Sequence, residues 1–279
     1  MRTLYVTDLD GTLLNTSHRI SPYSIEVINT LVENGMLFTY ATARSLVSAS
    51  VVAKGLLTNI PVIAYNGAFI INPATKEILA SSFFGKEETD KVEEVLKRYE
   101  ISPLVYAYVN GVEKVTWNTA KENEGIRYYL EARKGDERFR PLTEAEVSEH
   151  LYEGSMFYYT CIGEREELLP VYEVFSQDER FLCSLHQELY RPEYWCEILP
   201  KNATKANAIK TLKKLWNCDK VVSFGDAIND IPMFQVSDEG YAVRNAVEEL
   251  KQLATDVIGS NDEDAVANWL KKHAENVQR

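Results

Sequence analysis

Residues 4–12 read Leu4-Tyr5-Val6-Thr7-Asp8-Leu9-Asp10-Gly11-Thr12. The first four are a short apolar and β-branched run, which suits a buried strand. Two carboxylates two residues apart follow at once, and then a glycine that lets the chain turn sharply. So placed, one carboxylate can act as a nucleophile and the other as a general acid and then base. The same residues also suit an ordinary strand-to-helix turn, where Asp and Gly are favoured. What decides between these readings is whatever else the chain brings to the end of this strand.

Working outward, Ser21-Pro22 opens an amphipathic helix with Ile25, Val27, Ile28, Leu31 and Val32 on its apolar side, and Gly35 stops it. Residues 36–41 read as a second strand, 45–57 as a helix and 62–65 as a third strand. Strands separated by helices of this length imply βαβ units, a parallel sheet and an α/β, Rossmann-like doubly wound core. The same alternation resumes late in the chain. A helix is expected over 204–216, a strand over 221–224, short strands near 241–243 and 256–258, and a closing helix near 262–273. Between these stretches the texture changes. Residues 104–109 and 112–117 flank Asn110-Gly111, a strong hairpin signal. Helices are expected near 119–133, 143–152 and 164–175, and strands near 156–162 and 181–186. The expectation is a core of residues 1–83 plus 193–279, interrupted by an α+β domain over 84–192. Tyr106, Tyr108, Trp117, Tyr158 and Tyr159 lie on its strands and read mainly as sheet core.

In an open parallel sheet, ligands bind beyond the carboxyl ends of the strands. Asp8 to Thr12 follow the first expected strand, Thr42-Ala43-Arg44-Ser45 the second, Asn66-Gly67-Ala68 the third, and Gly225-Asp226-Ala227-Ile228-Asn229-Asp230 the strand near 221. Polar, carboxylate-rich clusters thus recur at one edge of one sheet. Asp226, Asn229 and Asp230 offer hard oxygen ligands of the kind that suit Mg²⁺, although Asp and Asn also cap helices. Lys205 falls at the start of its helix, where a cation opposes the macrodipole by about 0.3–1 kcal/mol. That placement makes sense if an anion such as phosphate sits between them, while a solvated surface Lys is the plain alternative. Thr42 can donate to a phosphate oxygen or simply end its strand, and Arg44 can reach an anion. Ser260 and Glu263 have capping-box spacing. His18, His150, His186 and His273 are scattered, and neither a P-loop nor a G-x-S-x-G elbow occurs.

Composition agrees with this picture. The 279 residues are 45% hydrophobic and 26% charged, a globular profile with length for about two domains. Asp plus Glu number 42 against 30 Lys plus Arg, a formal charge of −12. That balance argues against a nucleic-acid or anionic-membrane partner. It still allows a small phosphorylated metabolite, since a metal and one Lys can reverse the field locally. Cys161, Cys183, Cys196 and Cys218 form no C-x-x-C pair and read as reduced thiols. No signal peptide and no apolar run of ~20 residues is evident, so the cytoplasm is the expected compartment. A monomer or weak homo-oligomer is expected.

In its order, Asp8-Leu9-Asp10-Gly11-Thr12, then Thr42-Ala43-Arg44, then Lys205, then Gly225 to Asp230, the chain resembles the haloacid dehalogenase-like (HAD) superfamily of phosphatases. The likeness is nearest to its Cof-type branch, which carries an α+β cap between the second and third motifs. Ala43 and Ala206 stand where Gly is common, and neither change removes a functional group. The resemblance implies a Mg²⁺-dependent phosphatase working through an aspartyl-phosphate. It implies Asp8 as nucleophile, Asp10 as acid and then base, and Thr42 and Lys205 on the transferring phosphoryl group. The metal would be held by Asp8, Asp226, Asp230 and the Asp10 backbone carbonyl. Asn229 and Asp230 would position the lysine and metal waters, and Arg44, Asn66 and Asn229 would lie toward the substrate. A phosphomutase of the same chemistry and a non-catalytic ligand-binding regulator are the alternatives.

Overall fold

The computed structural model describes residues 2–187 and 191–273. The chain divides into two compact units, one made of residues up to Ser81 together with those from Asn202 onward, the other of Ser82–Lys201.

The first unit is built on a five-stranded sheet whose order from one edge is Asp256–Val257, Glu239–Ala242, Lys220–Gly225, Thr3–Thr7 and Leu37–Tyr40, with every neighbouring pair parallel. Both faces of the Thr3–Thr7 strand are covered. Leu4 and Val6 pack with Ile209, Leu212 and Met233, and Tyr5 packs with Ile28 and Phe38 on the other side. A strand buried on both faces loses the alternation of a half-exposed one, which is why it reads as a continuous apolar run. Each fully buried aliphatic side chain here contributes about 1.5–3 kcal/mol. The helix Pro22–Glu33 starts where expected, with the Ser21 hydroxyl accepting from the Ser24 amide, and stops before Gly35 at φ +97°.

Three local expectations are corrected. The helix that follows Ser45 is Leu46–Val52, shorter than 45–57. The chain turns at Gly55 (φ +90°), where the Asn29 side chain donates to the Gly55 carbonyl and accepts from the Leu57 amide. The strand Val62–Ala64 meets the parallel sheet only through one bridge, Ala41 to Ile63. It chiefly opens a three-stranded antiparallel sheet with Phe69–Ile71 and Ile78–Ser81, two strands the sequence reading did not foresee. Their connection is a tight turn in which Asn72 accepts from the Ala74 and Thr75 amides, the kind of turn Asn-Pro favours. The closing helix is Ala265–His273, entered through a 3₁₀ turn whose Ser260 amide donates to Glu263.

The second unit is a six-stranded sheet in the order Phe181–Gln187, Tyr194–Pro200, Ser155–Gly163, Leu104–Val109, Val112–Asn118 and Phe139–Leu142. All pairs are antiparallel except the last, which is parallel. Asn110 and Gly111 turn the hairpin with φ +51° and +79°, as a type I′ turn requires. The helix expected over 119–133 is confined to Glu124–Glu131, because Asn123 caps it by accepting from the Ile126 amide. The return to the first unit was expected at 193. Tyr194–Pro200 instead pairs with strands on both sides, so the chain crosses back only at Asn202. Tyr106, Trp117, Tyr158 and Tyr159 are buried, Tyr108 is half-buried, and all four cysteines are free thiols.

Candidate active site

Parallel strands end together at their carboxyl side, and there the expected residues assemble. Asp8 follows Thr3–Thr7 and donates its amide to the Phe224 carbonyl at 2.9 Å, which ties it to the neighbouring strand end. Asp226 follows Lys220–Gly225, and the Thr12 hydroxyl donates to its Oδ1 at 3.0 Å. Gly11 lies between them at φ +76°, and a Cβ there would sit 2.3 Å from Asp226 Oδ2. The glycine is therefore needed twice, for the left-handed backbone and for the approach of the carboxylate. Asn245 donates to the Gly11 carbonyl at 2.7 Å and accepts from the Asn261 amide at 3.0 Å.

Lys205 is the first residue of the helix Lys205–Leu215, capped by Thr204, whose hydroxyl accepts from the Asn207 amide. It is no surface lysine, because only 1% of it is exposed. Its ammonium donates to Asp8 Oδ1 at 2.5 Å and to Asp230 Oδ1 at 2.7 Å. The other Asp230 oxygen accepts from the Asp226 and Ala227 amides at 3.0 and 3.1 Å. Asp230 thus fixes both the ammonium and the turn that presents Asp226.

Thr42 is buried, and its hydroxyl accepts from the Arg44 amide at 3.1 Å. The Thr42 carbonyl accepts from the Asn66 amide at 2.9 Å, and the Asn66 side chain accepts from Asn229 Nδ2 at 3.1 Å. Tyr65, Asn66 and Gly67 take φ of +50°, +54° and +107° in succession. A Cβ on Gly67 would lie 2.1 Å from the Thr204 carbonyl oxygen, directly before Lys205. Gly67→Ala is accordingly expected to destabilise the protein by ~2 kcal/mol or more. It should also lower turnover by displacing Lys205, as thermal unfolding and phosphate release measured on the same preparation will record. The Asp10 side chain is not in the acidic cluster. Both of its oxygens accept from the Arg44 guanidinium, at 2.6 and 2.7 Å.

The carboxylates of Asp8, Asp226 and Asp230 bring oxygens within 4.8 Å of one another. Burial pushes the Asp8 carboxyl up, Lys205 opposes that, and Asp230 and Asp226 reinforce it. Burial and Asp230 push Asp226 up to about 6, against the Thr12 hydrogen bond. Three carboxylates against one ammonium leave a buried excess of two negative charges when all are ionised. A divalent cation with oxygen ligands is what this donor set and this charge call for. Asp8 and Asp226 would hold it, whereas Asp230, expected as a further ligand, already has one oxygen on Lys205 and the other on the Asp226 and Ala227 amides.

A buried ammonium beside a strand-end carboxylate, with further carboxylates next to it that could hold a cation, suits an α/β enzyme that handles phosphoryl groups. The chain matches the haloacid dehalogenase-like hydrolase family over residues 5–270. It belongs to that family and, with relatives over nearly its whole length that are named phosphatases, is a phosphatase within it. A Haemophilus influenzae protein is 30% identical over 278 residues, covering 95% of this chain and 96% of its own. The 5-amino-6-(5-phospho-D-ribitylamino)uracil phosphatase YitU of Bacillus subtilis is 24% identical, with 97% of each chain covered. The structure of TM0651 from Thermotoga maritima superposes with a TM-score of 0.77 at 28% identity, covering 98% and 97% of the two chains.

The site residues proposed from sequence all lie in the first unit, and contacts link most of them. Thr12, Asn245 and Ser48 were not foreseen. Thr12 lies inside the quoted motif, so its position was a signal. Asn245 carried none, since it acts on a loop distant in sequence, and Ser48, four residues beyond Arg44, read only as part of its helix. Among the described residues, no helix is long and apolar enough to cross a membrane.

Proposed function

We propose that this chain is a Mg²⁺-dependent phosphatase that hydrolyses a small phosphate monoester through an aspartyl-phosphate on Asp8. The observation that carries the reading is the hydrogen bond of the buried Lys205 ammonium to Asp8 and Asp230 beside Asp226. Lys205 orients one Asp8 oxygen and leaves the other for attack on phosphorus. As the new O–P bond forms, the bond from phosphorus to the leaving oxygen breaks, and Asp10 gives that oxygen its proton. Asp10 then takes a proton from water as the water oxygen attacks the phosphorus. The bond between phosphorus and Asp8 breaks, inorganic phosphate leaves, and Asp8 is restored. Mg²⁺ bound by Asp8, Asp226 and the Asp10 carbonyl would neutralise charge on the phosphoryl oxygens. Thr42 would donate to one of those oxygens, and Arg44, Asn66 and Asn229 would line the approach. The inserted unit, Ser82–Lys201, would select the leaving group. Two relatives named as 5-amino-6-(5-phospho-D-ribitylamino)uracil phosphatases support a small polar phosphorylated metabolite as substrate. A panel of such esters assayed for phosphate release tests the reading, and isomerisation of a sugar phosphate without release would mark a mutase instead.

The metal has a pH signature of its own. Asp226, raised to about 6, binds its proton more tightly folded than unfolded. The native state therefore holds more protons between roughly pH 4 and 6, and stability falls as pH rises through that window. From the ordinary carboxyl value to about 6, the loss is of order 3 kcal/mol at most. A cation that takes the proton's place removes this loss. Mg²⁺ should thus raise Tm more at pH 7.5 than at pH 5, and chelator should abolish turnover. Ca²⁺, which prefers more ligands and longer bonds, should restore turnover poorly. A Tm increment independent of pH, or full activity in excess chelator, would contradict the assignment.

A further inference from the structure

The ion pair between Asp10 and Arg44 does something the reading above leaves unused. Arg44 Nε donates to Asp10 Oδ2 at 2.7 Å and Nη2 donates to Oδ1 at 2.6 Å, while Nη1 donates to the Ser48 hydroxyl at 3.0 Å. The backbone beneath that fork is held as well. Its amide donates to Thr42 Oγ1 at 3.1 Å, and its carbonyl accepts from the Tyr65 amide at 3.0 Å. Asp10 itself sits on extended backbone (φ −72°, ψ +121°) just before the Gly11 turn, with its side chain 43% exposed. A carboxylate so exposed on a loop would otherwise sample several rotamers. A pair this open to solvent adds little to stability, so its geometry calls for another explanation.

We infer that Arg44 is a positioning residue for Asp10, fixing the direction in which that carboxylate meets the leaving oxygen and the attacking water. A two-pronged guanidinium engages one lone pair on each carboxylate oxygen and sets the plane of the group, leaving the outward lone pairs for chemistry. The anchor is built from the neighbouring strand end, so the loops after the first two strands are registered to each other at the atoms that must move a proton. Arg44 then acts on kcat through Asp10 and is not an anchor for the substrate. This rests on the reading of Asp10 as the acid and base.

The test compares leaving groups. An alkyl phosphate needs its leaving oxygen protonated, and p-nitrophenyl phosphate hardly does. Arg44→Gln is expected to lower kcat/KM, which covers only the steps up to departure of the leaving group, by about 10²-fold for the alkyl ester, the scale of a small misplacement of a catalytic group. For p-nitrophenyl phosphate kcat/KM should fall only slightly, while slower water attack lowers kcat for both esters wherever that step is limiting. Arg44→Lys, which keeps charge but loses the fork, should fall between. Dissolved guanidinium should restore part of the alkyl activity of Arg44→Ala, a rescue that a misfolded variant cannot show. A raised KM with kcat intact would overturn the inference in favour of a substrate anchor, and an equal loss of kcat/KM for both esters would overturn it too. Asp10→Asn run in parallel separates the layers. If it shows the selective alkyl loss and Arg44→Gln does not, the positioning role alone fails. If Asp10→Asn leaves the alkyl-to-aryl ratio unchanged, the role of Asp10 fails first.

Discussion

Asp8→Asn should reduce phosphate release by roughly 10⁴–10⁶-fold, the range seen when a catalytic nucleophile is removed and the surrounding electrostatics remain. The fold should survive this change. Asparagine keeps the shape of the side chain and still offers an oxygen to the Lys205 ammonium. Lys205 also keeps Asp230 at 2.7 Å, so no buried cation is left without a carboxylate. The substitution moreover removes one of three crowded carboxylates whose mutual repulsion burial intensifies. Thermal unfolding should therefore shift by only a few degrees while turnover collapses. Acid quenching during turnover of a labelled ester adds a direct readout. Wild-type enzyme should carry label on the protein and Asp8→Asn should carry none. Label on Asp8→Asn, or turnover near the wild-type rate, would remove Asp8 from the role of nucleophile.

The parts of this site that could be read from sequence are those encoded locally. Asp8, Gly11 and Thr12 lie within five residues of a strand end, and Asp226 and Asp230 lie beyond another. Strand ends are recognisable from apolar runs, so the convergence of these groups followed from the parallel topology alone. Lys205 was legible for a similar reason, since its unfavourable place at a helix start called for anions nearby. What could not be read is pairing across the chain. Asp10 and Arg44 are 34 residues apart, and nothing in either segment states that two donors of one meet two acceptors of the other. The strand Tyr194–Pro200 escaped notice because Glu197 interrupts its apolar run and Pro200 ends it, while its stability comes from partners on both sides. Such tertiary pairing overrides local preference. The left-handed Tyr65-Asn66-Gly67 turn was legible only at its glycine, because Tyr rarely adopts a positive φ and here does so under the constraint of the Arg44 carbonyl.

Lys205→Met should be the most destabilising single change at the site as well as a catalytic one. Methionine fills nearly the same volume, so the loss is of charge and hydrogen bonds and not of packing. It leaves Asp8 and Asp230 buried with no cation between them, and breaking a buried ion pair from one side costs about 3–5 kcal/mol. For a protein of this size that is a fall in Tm of roughly 10 °C. The pH dependence of that cost is defined by the direction of two shifts. Burial works to lower the Lys205 ammonium's pKa, but Asp230 and Asp8 outweigh it and hold the value raised. A lysine raised above its unfolded value of about 10.4 gives its full stabilisation at all pH below that, and loses it only as pH rises through the folded value. The wild-type protein should therefore show no loss from this group between pH 6 and 9. In the variant, Asp8 loses the one charge that opposes its burial, so its carboxyl moves higher still. A carboxyl that protonates more readily in the folded state is tolerated at low pH and becomes costly above its raised value. The deficit of Lys205→Met should then shrink toward pH 5 and widen toward pH 8. Turnover should fall by about 10²–10³-fold, the usual cost of one donor aimed at developing charge. Lys205→Arg should not rescue it, because a planar fork needs more room than this fully enclosed ammonium occupies. Denaturant melts across that pH range, read beside kcat, decide the matter. A variant as stable as wild type at pH 8, or a deficit that grows toward acid, would show that Lys205 does not hold these carboxylates together.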